Sequence, residues 1–281
     1  MTLRSSLFLY QAKDVSLPLH LQSMIKAIFF DIDGTLVSFN THEIPASTKK
    51  ALTELREKGI RLFIATGRHK LAINNLGDEV FDGFVTMNGS YCIDQQGKTV
   101  YKHRIPTKDI ERLRHYLNED ESFPCILVQE RSMLLNYKNE KVEEVLDLLN
   151  FPQPPIGDFR KVPADGVYQL IAFFDVDQEK RIMEILSGCE STRWCSLFTD
   201  VVPSGSNKSV GIDRLLEYYG ISIEETMAFG DGGNDIAMLE HVGLGVAMGN
   251  SDDKVKQSAD YVTDSVDCDG IYNALKRFYV I

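Results

Sequence analysis

The chain has 281 residues, more than one domain usually needs, and carries a formal net charge of −11. Hydrophobic residues make up 43% and charged residues 25%, the proportions of a soluble globular protein able to bury a core. No cluster of five or more basic residues occurs, which argues against nucleic acid and anionic membrane as partners, and an anionic substrate would have to be captured by local charge against the global field.

The five cysteines (Cys92, Cys125, Cys189, Cys195 and Cys268) are scattered and form no C-x-x-C pair. That pattern fits reduced thiols in a cytoplasmic protein and speaks against a disulfide framework or a zinc site. No apolar run approaches the roughly 18 residues that span a membrane. Residues 1–23 hold a four-residue apolar core (Leu7 to Tyr10) with no small-residue cleavage site after it. They read as an N-terminal extension outside the fold, with the folded unit starting at Met24.

In chain order, Ile25 to Ile32 is an apolar run that predicts a strand buried on both faces. It ends in Asp31-Ile32-Asp33-Gly34-Thr35. Side chains alternate along a strand, so a continued strand would put Asp31 and Asp33 on one side. Two unit charges about 4 Å apart repel by roughly 1 kcal/mol in water and roughly 4 at an effective dielectric near 20. Such a pair needs a cation to hold or a proton to share; the plain alternative is a solvated loop with two acids. Pro45 to Lys58 is a helix stopped by Gly59, and Ile60 to Thr66 a second buried strand ending in Thr66-Gly67-Arg68. A helix over His69 to Glu79 and a strand over Gly83 to Met87 complete a strand–helix–strand–helix–strand unit, the signature of a parallel sheet.

The rhythm changes after Asn88-Gly89. Tyr91 to Ile93 and Thr99 to Lys102 read as a hairpin, followed by a helix (Pro106 to Glu119), strands at Cys125 to Gln129 and Ser132 to Tyr137, and a helix from Asn139 to Leu149. A strand (Val167 to Phe174), a helix (Gln178 to Leu186) and a strand (Thr192 to Phe198) close this part. The first rhythm then resumes, with a helix over Asn207 to Tyr219 and a strand over Thr226 to Asp231. Helices over Asn234 to Val242, Asp252 to Ala259 and Asp269 to Phe278 alternate with strands at Leu244 to Met248 and Tyr261 to Thr263. The expectation is an α/β fold with a doubly wound, Rossmann-like parallel core sheet (24–86 and 200–281), interrupted by an inserted α+β cap domain (87–199).

Ligands of open parallel sheets bind outside the carboxyl ends of the strands. That edge collects Asp31 with Asp33, Thr66 with Arg68, and Gly230-Asp231-Gly232-Gly233-Asn234-Asp235, with Lys208 opening the helix just upstream of the third set. Taken singly, Thr66 could be a helix cap, Lys208 a solvated lysine and Gly232-Gly233 a plain turn. Their joint placement at one edge is what those bland readings do not explain.

These four segments, in this order, resemble the motifs of haloacid-dehalogenase-like phosphohydrolases. Ala247-Met248-Gly249-Asn250 and the large insertion resemble the Cof-type sugar-phosphatase branch. One departure is Ser209, where many relatives carry glycine after the lysine. The resemblance implies Asp31 as nucleophile, Asp33 as general acid and base, and Lys208 as the charge between nucleophile and phosphoryl group. It implies Mg²⁺ held by Asp31, Asp231 and the backbone carbonyl of Asp33, with Asp235 on a metal-bound water. Thr66 with Gly67 and Asn234 would meet the phosphate, and Arg68, Asn88 and Gly89 the substrate's organic part; Asp200 is a candidate contact or a structural cap. The chemistry agrees: a carboxylate of reference pKa about 3.9 is ionised near pH 7 and needs no base to attack phosphorus. The function expected is a Mg²⁺-dependent phosphatase acting on a small phosphorylated metabolite, a hexose or related sugar phosphate, with a monomer compatible with that role. The alternatives are a phosphomutase and an inactive phosphosugar-binding regulator.

Overall fold

The computed structural model describes residues 25–281 apart from 119–121 and 194. The extension read over residues 1–23 lies outside the described residues.

The first βα units are β1 (Ala27–Phe30), α1 (Ala46–Glu57), β2 (Arg61–Ala65) and β3 (Gly83–Thr86). A hairpin of β4 (Tyr91–Asp94) and β5 (Thr99–Lys102) follows. Next come α2 (Thr107–Asn118), β6 (Cys125–Gln129), β7 (Met133–Leu135), α3 (Glu140–Leu148), β8 (Val167–Ala172), α4 (Val176–Ile185), β9 (Cys189–Thr192) and β10 (Thr199–Pro203). The chain ends with α5 (Lys208–Tyr219), β11 (Thr226–Gly230), α6 (Ile236–His241), β12 (Leu244–Ala247), α7 (Asp253–Ser258), β13 (Tyr261–Val262) and α8 (Gly270–Arg277).

The strands form two sheets. The larger has the order β13-β12-β11-β1-β2-β3-β4-β5 and is parallel from β13 to β3. β1 lies between β11 and β2, with Phe30 opposite both Phe229 and Ile64. Chain order reverses across β1, so this is where a parallel sheet opens its ligand crevice. Side-chain alternation splits β1 between two cores. Ile28 and Phe30 pack toward α1 and α8 through Leu52, Leu55 and Ile271, while Ala27 and Phe29 pack toward α5 and α6 through Ile212, Leu215 and Met238. Phe29 stacks on Phe63 and Phe30 on Phe229 at 4.9 and 5.4 Å between centroids. Each such buried ring is worth about 1.5–3 kcal/mol relative to exposure.

The smaller sheet is antiparallel, in the order β7-β6-β8-β10-β9. One face is covered by α2 and α4, where Leu127, Leu170 and Ala172 meet Ile110, Leu113 and Ile182. The other face, carrying Ile126, Ile171 and Phe173, joins the core shared with the larger sheet.

Three local expectations change. The helix over His69 to Glu79 is a single 3-10 turn, Lys70–Ala72. The Arg68 guanidinium donates to the Ala72 carbonyl (2.8 Å), which a continuing helix would need, and Gly77 is left-handed (φ 60°). The strand expected over Thr192 to Phe198 is displaced: β9 ends at Thr192 and β10 begins at Thr199, and the two pair antiparallel with Asp200 opposite Thr192. The β4–β5 hairpin, assigned by its rhythm to the insertion, is hydrogen-bonded to β3 and extends the larger sheet, covering an edge that would otherwise expose unpaired backbone groups. β10, in turn, belongs to the smaller sheet.

Candidate active site

Asp31 follows β1 directly, and its N–H continues the ladder to Phe229 O at 3.0 Å. The chain then turns sharply: Gly34 has φ 85°, and a Cβ there would lie 2.3 Å from Asp231 Oδ2. Only glycine permits both. The turn brings Thr35 beneath β11, where its hydroxyl donates to Asp231 Oδ1 at 2.7 Å.

Lys208 is wholly buried at the first turn of α5. Asn207 caps that helix, accepting from the Val210 N–H at 3.0 Å. Ser209, the departure from the family pattern, donates its hydroxyl to Asn207 Oδ1 (2.6 Å) and so reinforces the cap. Lys208 Nζ donates to Asp31 Oδ1 at 2.6 Å and Asp235 Oδ1 at 2.5 Å. The other oxygen of Asp235 accepts from the Asp231 and Gly232 N–H groups, each at 2.9 Å, and fixes the loop after β11.

Asp31, Asp231 and Asp235 place carboxylate oxygens within 4.8 Å of one another, and among the described residues the cation paired with two of them, Asp31 and Asp235, is Lys208. Burial, against the pull of Lys208 and aided by Asp235 and Asp33, pushes Asp31 up to about 7. Burial and then Asp31 and Asp235 raise Asp231 well above the usual carboxylate range. Burial pulls Lys208 down, but Asp235 and Asp31 outweigh it and hold the ammonium above its ordinary value. The reference value that served for Asp31 in the sequence therefore does not survive burial without a further cation. Convergent hard oxygens carrying excess negative charge suit a divalent ion such as Mg²⁺.

Asp33 lies apart from that cluster and forms a bidentate pair with Arg68, Nε to Oδ2 at 2.6 Å and Nη2 to Oδ1 at 2.7 Å. Arg68 also donates to the carbonyls of Ala72 and Leu149, and its guanidinium lies 5.7 Å from the Phe151 ring centroid. It lines the pocket, yet its fork is committed to Asp33 and to the end of α3. Thr66 accepts from the Arg68 N–H at 3.1 Å while its own backbone bridges Val85 and Asn88. Asn88 sits in left-handed backbone (φ 50°) and links the two units: its amide donates to Asp200 Oδ2 at 2.8 Å, and its oxygen accepts from Asn234 at 3.0 Å. Gly89 (φ 90°) is packed against α5, where a Cβ would lie 1.9 Å from Asn207 O. Gly67 faces the pocket beside Asp200.

The sequence reading named Thr35 and Asn250 within motifs but gave them no role, and it did not single out Gln169. Asn250 ties Gly34 O (2.9 Å) to the Val266 N–H (3.0 Å). Gln169 donates to Asp200 Oδ1 at 2.7 Å, and its one signal was a glutamine inside an apolar strand run. The wall of Leu149, Phe151, Ile171 and Phe198 was also unread.

Residues 28–275 match the model of the haloacid dehalogenase-like hydrolases. The chain belongs to this family. It is 35% identical over 254 residues to the putative phosphatase YkrA of Bacillus subtilis, covering 90% of this chain and 97% of that one. The solved structure of the HAD subclass IIB sugar phosphatase BT4131 superposes with a TM-score of 0.86 at 43% identity, covering 91% and 100% of the two chains. The phosphatase BT1666 of Bacteroides thetaiotaomicron gives 0.83 at 37% identity, covering 96% and 100%. The chain is thus a phosphatase of the Cof-type branch. Among the described residues, no helix of this hydrolase is long and apolar enough to cross a membrane.

Proposed function

We propose that this phosphatase hydrolyses small phosphate monoesters, hexose or related sugar phosphates, in the cytoplasm, through an aspartyl-phosphate on Asp31 and with Mg²⁺ as cofactor. The observation that carries the reading is the convergence of Asp31, Asp231, Asp235 and Lys208 at the end of β1, where Asp31 and Asp231 open onto a pocket also lined by Ile171 and Asp200 of the second sheet. The sugar-phosphatase description of BT4131, similar over nearly the whole chain, supports the substrate class.

In this mechanism an Asp31 oxygen attacks phosphorus, the bond from phosphorus to the ester oxygen breaks, and Asp33 gives the leaving alkoxide its proton. Asp33 then takes a proton from the water that attacks the aspartyl-phosphate, releasing phosphate and freeing Asp31. The Arg68 fork fixes the position of the Asp33 carboxyl group for both halves. Thr66 and Asn234 donate hydrogen bonds to phosphoryl oxygens, and Lys208 offsets charge beside the nucleophile. Asp31, Asp231 and the Asp33 carbonyl would hold Mg²⁺, with Asp235 behind them; the ion supplies charge neutralisation for the phosphoryl group. The larger sheet with its helices would carry this chemistry, and the segment that builds the smaller sheet, between the β4–β5 hairpin and α5, would act as a cap that sets specificity and excludes water.

The test is release of inorganic phosphate from a sugar-phosphate panel with Mg²⁺, in wild type and Asp31→Asn. Phosphate from the wild type without isomerised sugar phosphate, and none from the variant, is expected. Equal turnover by a folded Asp31→Asn protein would falsify the nucleophile.

A further inference from the structure

Residues 68–74, where one 3-10 turn replaces the expected helix, form a seat for the unit built on the smaller sheet. Three side chains of this stretch reach across to that unit, each onto a backbone carbonyl. Arg68 Nη2 donates to Leu149 O, His69 Nε2 lies 3.1 Å from Glu130 O, and Asn74 Nδ2 donates to Asn150 O at 3.1 Å. Leu149 and Asn150 follow α3, whereas Glu130 lies in the turn between β6 and β7, so two separate elements meet one short stretch. His69 has no part in the site described above and does not line its pocket. It is only 3% exposed, and its Nδ1 accepts from the Leu71 N–H at 3.1 Å, which caps the turn. A neutral imidazole has one donor and one acceptor nitrogen, and the bond from Leu71 makes Nδ1 the acceptor. The proton therefore sits on Nε2, which donates it to Glu130 O. Lys102 Nζ also approaches the Glu130 carboxylate (3.5 Å), but that pair is exposed and contributes little. The two ring nitrogens thus serve the two units, and the residue just before the ring is Arg68, whose fork holds Asp33.

We infer that His69 is a positioning residue: the bond from its Nε2–H to Glu130 O registers the smaller sheet over the pocket and, through the adjacent Arg68, sets that closure and the place of Asp33 together. The inference rests on the phosphatase reading and on the cap role given there to the smaller sheet. Loss of this one bond lowers the population of the closed arrangement, and an ester that needs the cap is then bound more weakly in proportion. An ester that needs neither the cap nor a proton on its leaving group is spared. A merely structural role has a different signature, because the turn itself needs from residue 69 only the acceptor at Nδ1.

Two variants separate the nitrogens. In His69→Asn the amide oxygen takes the place of Nδ1 and keeps the cap, with no donor reaching Glu130. In His69→Gln the amide nitrogen takes the place of Nε2 and the cap is lost. With Mg²⁺ present, His69→Asn should lower kcat/KM for glucose 6-phosphate about tenfold, mostly through KM, and change that for p-nitrophenyl phosphate less than about threefold. His69→Gln should stay within about threefold of wild type on both esters. The reverse order, with asparagine sparing glucose 6-phosphate turnover and glutamine losing it, or equal values in the two folded variants, would make His69 a turn cap only and overturn the inference. A measurement on wild type decides if either variant does not fold. With ¹⁵N-labelled histidine, His69 should show a neutral ring protonated at Nε2, with that proton exchanging slowly. A ring protonated at Nδ1, or a freely exchanging Nε2 proton, overturns the inference as well. If wild type releases phosphate from neither ester, the phosphatase reading fails and takes this inference with it, whereas the ring proton reports on the His69 bond alone.

Discussion

Asp31 carries two opposing demands: it must be ionised to attack phosphorus, yet burial beside Asp235, Asp33 and Asp231 disfavours its charge. Its value in the folded protein, about 7, lies above the ordinary 3.8, so its contribution to stability is present below about pH 4 and is lost as pH rises through about 7. In metal-free protein, Asp31→Asn should therefore raise the melting temperature at pH 8 by several degrees while abolishing turnover, and the gain should vanish near pH 4. Thermal melts of chelator-treated protein across this range check it; a gain independent of pH would show that Asp31 is not the strained charge. Asp33 differs, being paired with Arg68. Asp33→Asn should slow sugar phosphates far more than p-nitrophenyl phosphate, whose leaving group needs no proton. Equal losses for both esters would remove its acid role.

Two connections between elements are stiffer than ordinary loops. At Gly89 the chain leaves β3 in left-handed backbone and passes so close to the start of α5 that an added Cβ would meet Asn207 O at 1.9 Å. Gly89→Ala should cost about 3 kcal/mol or more through backbone strain and overpacking, and it should lower kcat by displacing the helix end that carries Lys208. Urea unfolding and steady-state kinetics on the same preparation would show both effects. Arg68 replaces the expected helix as the organiser of its segment, binding Asp33, Ala72 and Leu149 at once. Arg68→Gln should destabilise by roughly 3 kcal/mol, the scale for breaking a buried ion pair. Arg68→Lys should not restore stability, because an ammonium cannot form the two-pronged pair with Asp33. Wild-type stability in the lysine variant would mean that the fork is dispensable.

The whole molecule is a sheet with an acidic opening over which a second sheet is set. Removing divalent cations should stop turnover, and Mg²⁺ should restore it and raise the melting temperature, since an ion bound to the folded state alone stabilises it. Activity persisting in chelator would count against the metal assignment. The two chain passages between the sheets run side by side, with His103 Nδ1 2.9 Å from Ser206 Oγ. Replacing residues 104–205 by a short linker should then keep p-nitrophenyl phosphate hydrolysis and erase preference among sugar phosphates. A folded capless chain with the original preference would move specificity back to the larger sheet.

The apolar runs at Ile25 to Ile32, Ile60 to Thr66 and Thr226 to Asp231, each ended by a polar cluster, were enough to place Asp31, Thr66 and Asp231 at one sheet edge. Strand burial and the right-handed βα rule leave little choice once such runs alternate with helices. Local pattern also carried Lys208, because a capped helix start is a short-range signal. What it could not carry were contacts between distant segments. The fork from Arg68 to Asp33, the chain from Asn234 through Asn88 to Asp200 and Gln169, and the hairpin's place beside β3 all join residues whose pairing no local periodicity encodes. The helix lost after His69 shows the same thing in reverse: its pattern was helical, but Arg68 took a backbone carbonyl that the helix required. The sequence by itself determined the strands and the acids at their ends, through burial and period; the tertiary structure alone decided how those acids are paired and what faces them, because both depend on groups brought together only by folding.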